Sequence, residues 1–180
     1  MDELGVTDFQ LHVLALMRAP DELAEPTLAI LGADSVTMAE RSDLIGRHFT
    51  IRPGVTEVLR AILSAAEILE GAAAEARAGD PVRYAFPAWP ELEFEVSYAP
   101  SGMALHSAHF VRPRRPGPPQ PVDVAPWSFL REDLPGAFEH IAEVDLWDTY
   151  ASYTATDRSS HQRCFLRFAW GLLQEVSPMQ

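Results

Sequence analysis

Residues 81–113 read PVRYAFPAWPELEFEVSYAPSGMALHSAHFVRP, and the fold turns on this stretch. Val82, Tyr84 and Phe86 alternate with Arg83 and Ala85, while Leu92, Phe94, Val96 and Tyr98 alternate with Glu93, Glu95 and Ser97. A period of two marks strands with one face in a core, so the stretch predicts three antiparallel strands over 82–111. Ala99-Pro100-Ser101-Gly102 supplies the last turn, because proline presets φ at the second position and glycine suits the fourth. With Ala99 opposite Gly102, Tyr98 meets Met103, Val96 meets Leu105, Phe94 meets Ser107 and Leu92 meets His109, all on the core face. Glu95 then opposes His106 on the outer face. A slip of one residue exchanges the two faces throughout.

The segments on either side read as cover for this sheet. Thr7 and Gln10 form a capping-box pair for a first helix carrying Phe9, Val13, Leu14, Leu16 and Met17, ended by Ala19-Pro20. Over Pro26–His48 the pattern allows short helices, but proline, glycine and β-branched residues favour Thr27–Leu31 and Ser35–Met38 as two further short strands around a Gly32-Ala33-Asp34 turn, giving a sheet of up to five. Val55, Val58, Leu59, Ile62, Ala66, Leu69, Ala73 and Ala76 recur at helical spacing and predict a long helix over 54–78. Downstream, residues 113–126 are proline-rich and form an extended connector. Leu134–Glu143 reads as a short helix. Ser159 with Gln162 makes a second capping box, opening a helix with Cys164, Phe165, Phe168, Ala169, Leu172 and Val176 along one side. The expected class is therefore α+β. Its expected organisation is a core over 1–112, a connector over 113–126 and a C-terminal helical extension over 127–180, packed on the core or on a partner subunit.

In its order of elements, residues 26–112 resemble a PAS domain: two short strands, a compressed helical segment, a longer helix, then three strands ending in a tight hairpin. Asp43-Leu44-Ile45-Gly46-Arg47-His48-Phe49 is similar to the phrase that precedes the long helix in that family, and Leu92–Pro100 with Ser101-Gly102 to its last hairpin. The resemblance implies a sensory or dimerising module with any ligand held between the inner sheet face and the long helix. Gln162-Arg163-Cys164-Phe165-Leu166 looks like the flavin-binding cysteine phrase of light-sensing members, but it follows the last three strands instead of preceding them. No cofactor is implied.

Composition narrows the function classes. The formal charge of −12 over 180 residues, with no clustered basic face, argues against nucleic-acid binding, which needs a cationic footprint. The single cysteine, Cys164, excludes an intrachain disulfide and suits a reducing, cytoplasmic setting. No apolar run has membrane length.

Candidate chemistry is sparse. There is no Gly-rich phosphate loop, no His-Glu-x-x-His and no Gly-x-Ser-x-Gly. His106 and His109 lie three apart on a strand and so point to opposite faces, which denies them a shared metal ion. His140 with Glu143, and His161 with Cys164, share helical faces on the helix readings, and neither pair completes a site. Polar tips at His109, Ser107, Tyr84 and Tyr98 beside Phe94 give the inner sheet face the make-up of a small-ligand pocket. Trp89 and Trp127 are candidate aromatic anchors for a partner if exposed, with burial in the core as the competing reading. Arg115-x-x-Pro118-x-x-Pro121 has the spacing of a polyproline ligand.

These features lead to a cytosolic binding or regulatory module, self-associating, with a small-ligand pocket between sheet and long helix. Two alternatives stand beside it. One is an acidic protein-binding protein, such as an immunity factor or adaptor, that engages a basic partner. The other is a small cofactor-free enzyme using His109.

Overall fold

The computed structural model describes residues 4–51, 62–63, 67–70, 81–98, 105–113, 123–147 and 149–179. The chain is α+β and divides into two compact units, Met1–Ala108 and His109–Gln180.

The first unit opens with helix α1 (Val6–Met17), whose cap is Gly5 and not Thr7. The Asp8 carboxylate accepts the Gly5 backbone N–H at 2.9 Å, and Arg18 ends the helix at φ 50°. Helix α2 (Asp21–Leu31) and helix α3 (Ser35–Ile51) follow. They stand where two short strands were expected. Gly32, the anticipated hairpin turn, is instead a left-handed helix stop at φ 65°, with Ala33 N–H donating back to Leu28 C=O at 3.0 Å. Asp34 then restarts the helix by accepting the Thr37 N–H at 2.7 Å. Pro26 sits within α2 as its sixth residue, where its missing N–H forgoes the helical bond to the Glu22 carbonyl.

Strands β1 (Glu67–Glu70), β2 (Val82–Ala85), β3 (Glu93–Tyr98) and β4 (Leu105–Val111) form an antiparallel sheet in that order. The division between the units falls inside β4. Tyr84 pairs with Phe94 and Val82 with Val96, as the alternation requires of a core face. Of the helix expected over 54–78, Ile62 and Leu63 are helical and buried, but Glu67–Glu70 is strand, with Ile68 paired to Tyr84. The remaining residues of that run lie outside those described, as do the Ala99–Gly102 turn and the Arg115–Pro121 motif. The helix seen on the sheet's apolar face is α1. Its Phe9 ring meets Phe94 edge-on at 5.7 Å and Phe86 at 6.1 Å, while Phe86 stacks on Phe94 at 5.0 Å.

On the opposite face Arg83 donates to Glu95 at 2.9 Å and to Glu93 at 3.0 Å, with all three side chains at most 16% exposed. Glu95 is thus engaged by Arg83; the side chain of His106, its expected partner, lies outside those described. Ser97 and Ser107 share a hydrogen bond of 2.5 Å between their hydroxyls. Ser97 alternates with Phe94 and Val96, so Ser107 stands on the Glu93–Glu95 side. The expected β3–β4 register put it beside Phe94; the faces are exchanged.

The second unit corrects the expectation of C-terminal helices most fully. After a 3-10 turn (Arg131–Asp133) and a single helical turn α4 (Leu134–Ala137), four antiparallel strands complete the chain: β5 (Phe138–Trp147), β6 (Tyr150–Asp157), β7 (Arg163–Ala169) and β8 (Leu172–Pro178). Cys164, Leu166 and Phe168 face a core with Phe129, Leu134, Phe138, Ala151, Ala155 and Leu173. The supposed capping box at Ser159 is a hairpin turn governed by Asp157, whose Oδ1 accepts the N–H and O–H groups of both Ser159 and Ser160. Those hydrogen bonds, that from the Ser159 side chain foremost, hold the Asp157 carboxyl well down, at about 2. Cys164 is buried, and desolvation, followed by the nearby Asp157 charge, pushes its thiol pKa up.

Two expectations follow for the first unit. Replacing Arg83 by Met leaves Glu93 and Glu95 facing each other half-desolvated, so urea unfolding should show a loss of about 3 kcal/mol. His12 lies between α1 and α3 with Nδ1 3.0 Å from Ser42 Oγ. Burial lowers its pKa below 6.5, and the Ser42 hydrogen bond only partly offsets this. The unfolded chain therefore takes up the proton first. His12's contribution is full above pH 6.5 and is lost as pH falls towards its folded value. Thermal melts at stepwise lower pH should show His12→Asn losing less stability than the native chain.

Candidate functional site

The residues proposed for a pocket are not gathered by the fold. Tyr84 and Phe94 are buried, at 5% and 0% exposure, on the face that receives Phe9. Ser107 is bonded to Ser97 on the other side of the sheet. The side chains of Tyr98 and His106 lie outside those described. The sheet itself therefore separates Phe94 and Tyr84 from Ser107.

His109 does border a cleft, within the second unit. Phe110, Arg131, Glu132 and Gly171 complete its lining, and its volume is about 120 Å³. Pockets for cofactors or drug-sized ligands run from about 300 Å³ upward. The backbone around it is closely tied: Phe110 N–H donates to Trp170 C=O and Arg131 N–H to Gly171 C=O, each at 2.8 Å. Among the described residues, no group of three His, Cys, Asp or Glu side chains is arranged to hold a metal ion.

Neither tryptophan is an exposed anchor. Trp89 is 4% exposed, its ring 6.4 Å from Phe86, in a loop that α1 fixes through Gln10, whose Oε1 accepts the Ala88 N–H at 3.3 Å. Trp127 is half-buried at φ 65°. Its indole N–H donates to Gln174 Oε1 at 3.0 Å and its backbone N–H to Leu173 C=O at 2.9 Å. Both serve the packing of their own unit.

The outstanding surface lies on β5. It is an end strand of its sheet, and Ile141, Val144 and Leu146 are 38%, 58% and 53% exposed. His140, Ala142, Glu143 and Asp145 are exposed between them. Glu139 pairs with Arg158 at 3.6 Å, whereas Glu143 and Asp145 have no ion-pair partner among the described residues. Two bulges shape the strand. His140, at φ 50°, and Ile141 stand opposite Ala155 alone, and Val144 is an extra residue between the Glu143–Tyr153 and Asp145–Ser152 pairs. Residues 134–143 had been expected as a helix, with His140 and Glu143 on one face; the bulge and the strand period remove that pairing. Alternation from Glu143 to Leu146 was the signal for a strand. That its aliphatic side chains stay exposed was not in the pattern.

No family model, no curated protein and no solved structure matches this chain. Its class rests on its own geometry: an α+β chain with two antiparallel sheets, in which, among the described residues, no helix is long and apolar enough to cross a membrane.

Gly171 carries a direct expectation. Its φ is +76°, and a Cβ there would meet His109 Cβ at 3.3 Å. Gly171→Ala should destabilise the second unit by about 1–2 kcal/mol, the cost of a left-handed alanine plus a tightened contact, measured by chemical denaturation.

Proposed function

We propose that this chain is an acidic protein-binding protein that engages a basic partner, with β5 as part of its contact surface. The observation that carries this is the gathering of Ile141, Val144 and Leu146 on one end strand, interleaved with the carboxylates of Glu143 and Asp145, which have no ion-pair partner among the described residues. Exposed aliphatics at single positions are ordinary on any protein; a row of them rimmed by charge is the make-up of an interaction site. A formal charge of −12 supports the same partner chemistry, since it steers and orients a basic protein. The small-ligand role has less behind it, because the cleft beside His109 is small and Phe94 packs against Phe9 of α1.

A photo-crosslinking amino acid placed at Val144 or Leu146 in the producing cell tests this. Adducts of one discrete mass are expected there and not from Glu175, an exposed position on β8. Equal labelling at both places, or none at β5, counts against the proposal.

A further inference from the structure

We infer that the occupant of β5 is an extended segment of another protein that carries both basic and aliphatic residues, and not a second copy of this chain; this rests on the protein-binding role proposed above. Shape is the first ground. The exposed side chains follow one another along a single strand from His140 to Leu146, a line of roughly 20 Å at the usual strand rise. A footprint one strand wide suits a chain lying along it better than a broad globular face.

Charge and register weigh against self-pairing. Antiparallel pairing of two copies about Ala142 sets Glu139 against Asp145 and Ile141 against Glu143, a like-charge pair and an aliphatic against a carboxylate. Parallel pairing in register sets every carboxylate against itself. The bulges at His140–Ile141 and Val144 break the regular ladder that edge-to-edge association needs, a common guard of exposed strands. With the backbone ladder interrupted, side chains do the reading. Ile141, Val144 and Leu146 take aliphatic groups, and Glu143 and Asp145 take guanidinium or ammonium groups, neither carboxylate having an ion-pair partner of its own among the described residues.

The test uses the full chain and three short synthetic peptides: arginine alternating with valine, arginine alternating with glycine, and glutamate alternating with valine. The arginine–valine peptide should bind in a titration, and Glu143→Gln with Asp145→Asn should weaken it about tenfold, as should Val144→Ser with Leu146→Ser. The arginine–glycine peptide should be weaker by a similar factor, the glutamate–valine peptide should not bind, and sedimentation should show a monomer. All four positions are exposed, so unchanged melting temperatures confirm that the variants fold. Equal affinity for the two arginine peptides overturns the inference, as does a dimer that Val144→Ser with Leu146→Ser dissolves. If β5 crosslinks a partner but ignores the arginine–valine peptide, the extended segment is wrong and the protein-binding role stands. Silence at β5 in both experiments removes both.

Discussion

A two-residue turn holds the second unit in register. Trp170 and Gly171 close the β7–β8 hairpin with φ of 53° and 76°, and two successive positive values give the turn whose twist matches paired strands. The turn also serves three other segments through its backbone. Trp170 C=O accepts from Phe110 at the end of β4, Gly171 C=O accepts from Arg131 in the 3-10 turn, and Trp170 N–H donates to Thr149 in the β5–β6 connection at 2.7 Å. Leu172, directly after it, bridges Leu130. A slip of one residue here would break those ties and turn Cys164, Leu166 and Phe168 out of the core together. Arg112 reinforces the same neighbourhood by binding Asp133 at 2.6 Å and the Ser128 carbonyl at 2.7 Å.

In the first unit α1 has the corresponding task, and helical geometry explains how one element does it. Asp8 and His12 are four apart and so share a side, where they meet Arg41 and Ser42 of α3. Phe9 points to the sheet and Gln10 to the Ala88 loop. Three neighbours are thus fixed by successive positions of a single rigid helix. Buried His12 and Gln10 are tolerated because each has a hydrogen-bond partner.

What could be read in advance depended on whether a pattern had one period or two. Val82–Phe86 and Leu92–Tyr98 alternate strictly, and β2 and β3 lie where that alternation puts them. Cys164, Phe168, Leu172 and Val176 are spaced by four, a multiple of two as well as nearly one helical turn, so they fit strand and helix alike. Leu166, buried between Phe165 and Arg167, was the discriminating residue, and Trp170-Gly171 the turn signal. Around Gly32 the local chemistry was ambiguous in the same way, since a glycine at positive φ serves a hairpin or a helix stop equally well. Ser107 was assigned to the wrong face because β4 carries small or polar residues at most positions and does not declare its own parity.

The β5 surface was out of reach for a different reason: exposure is a property of where a core ends. Register places Leu146 opposite Ala151 and Glu143 opposite Tyr153, on the side of the sheet where Phe138, Ala155 and Leu166 are buried. Phe138, at the strand's start, reaches that core and is 1% exposed; Leu146, eight residues on, runs past it and is 53% exposed. Burying such a side chain is worth roughly 1.5–3 kcal/mol, and the strand forgoes much of that at Ile141, Val144 and Leu146 in turn. Within the same unit the sheet hides Leu166, Phe168, Leu172 and Leu173 completely, so apolar cover is available where the fold supplies it. The aliphatic side chains left bare by so well-packed a sheet, bordered by carboxylates and interrupted by two bulges, are the feature on which the proposed binding role rests.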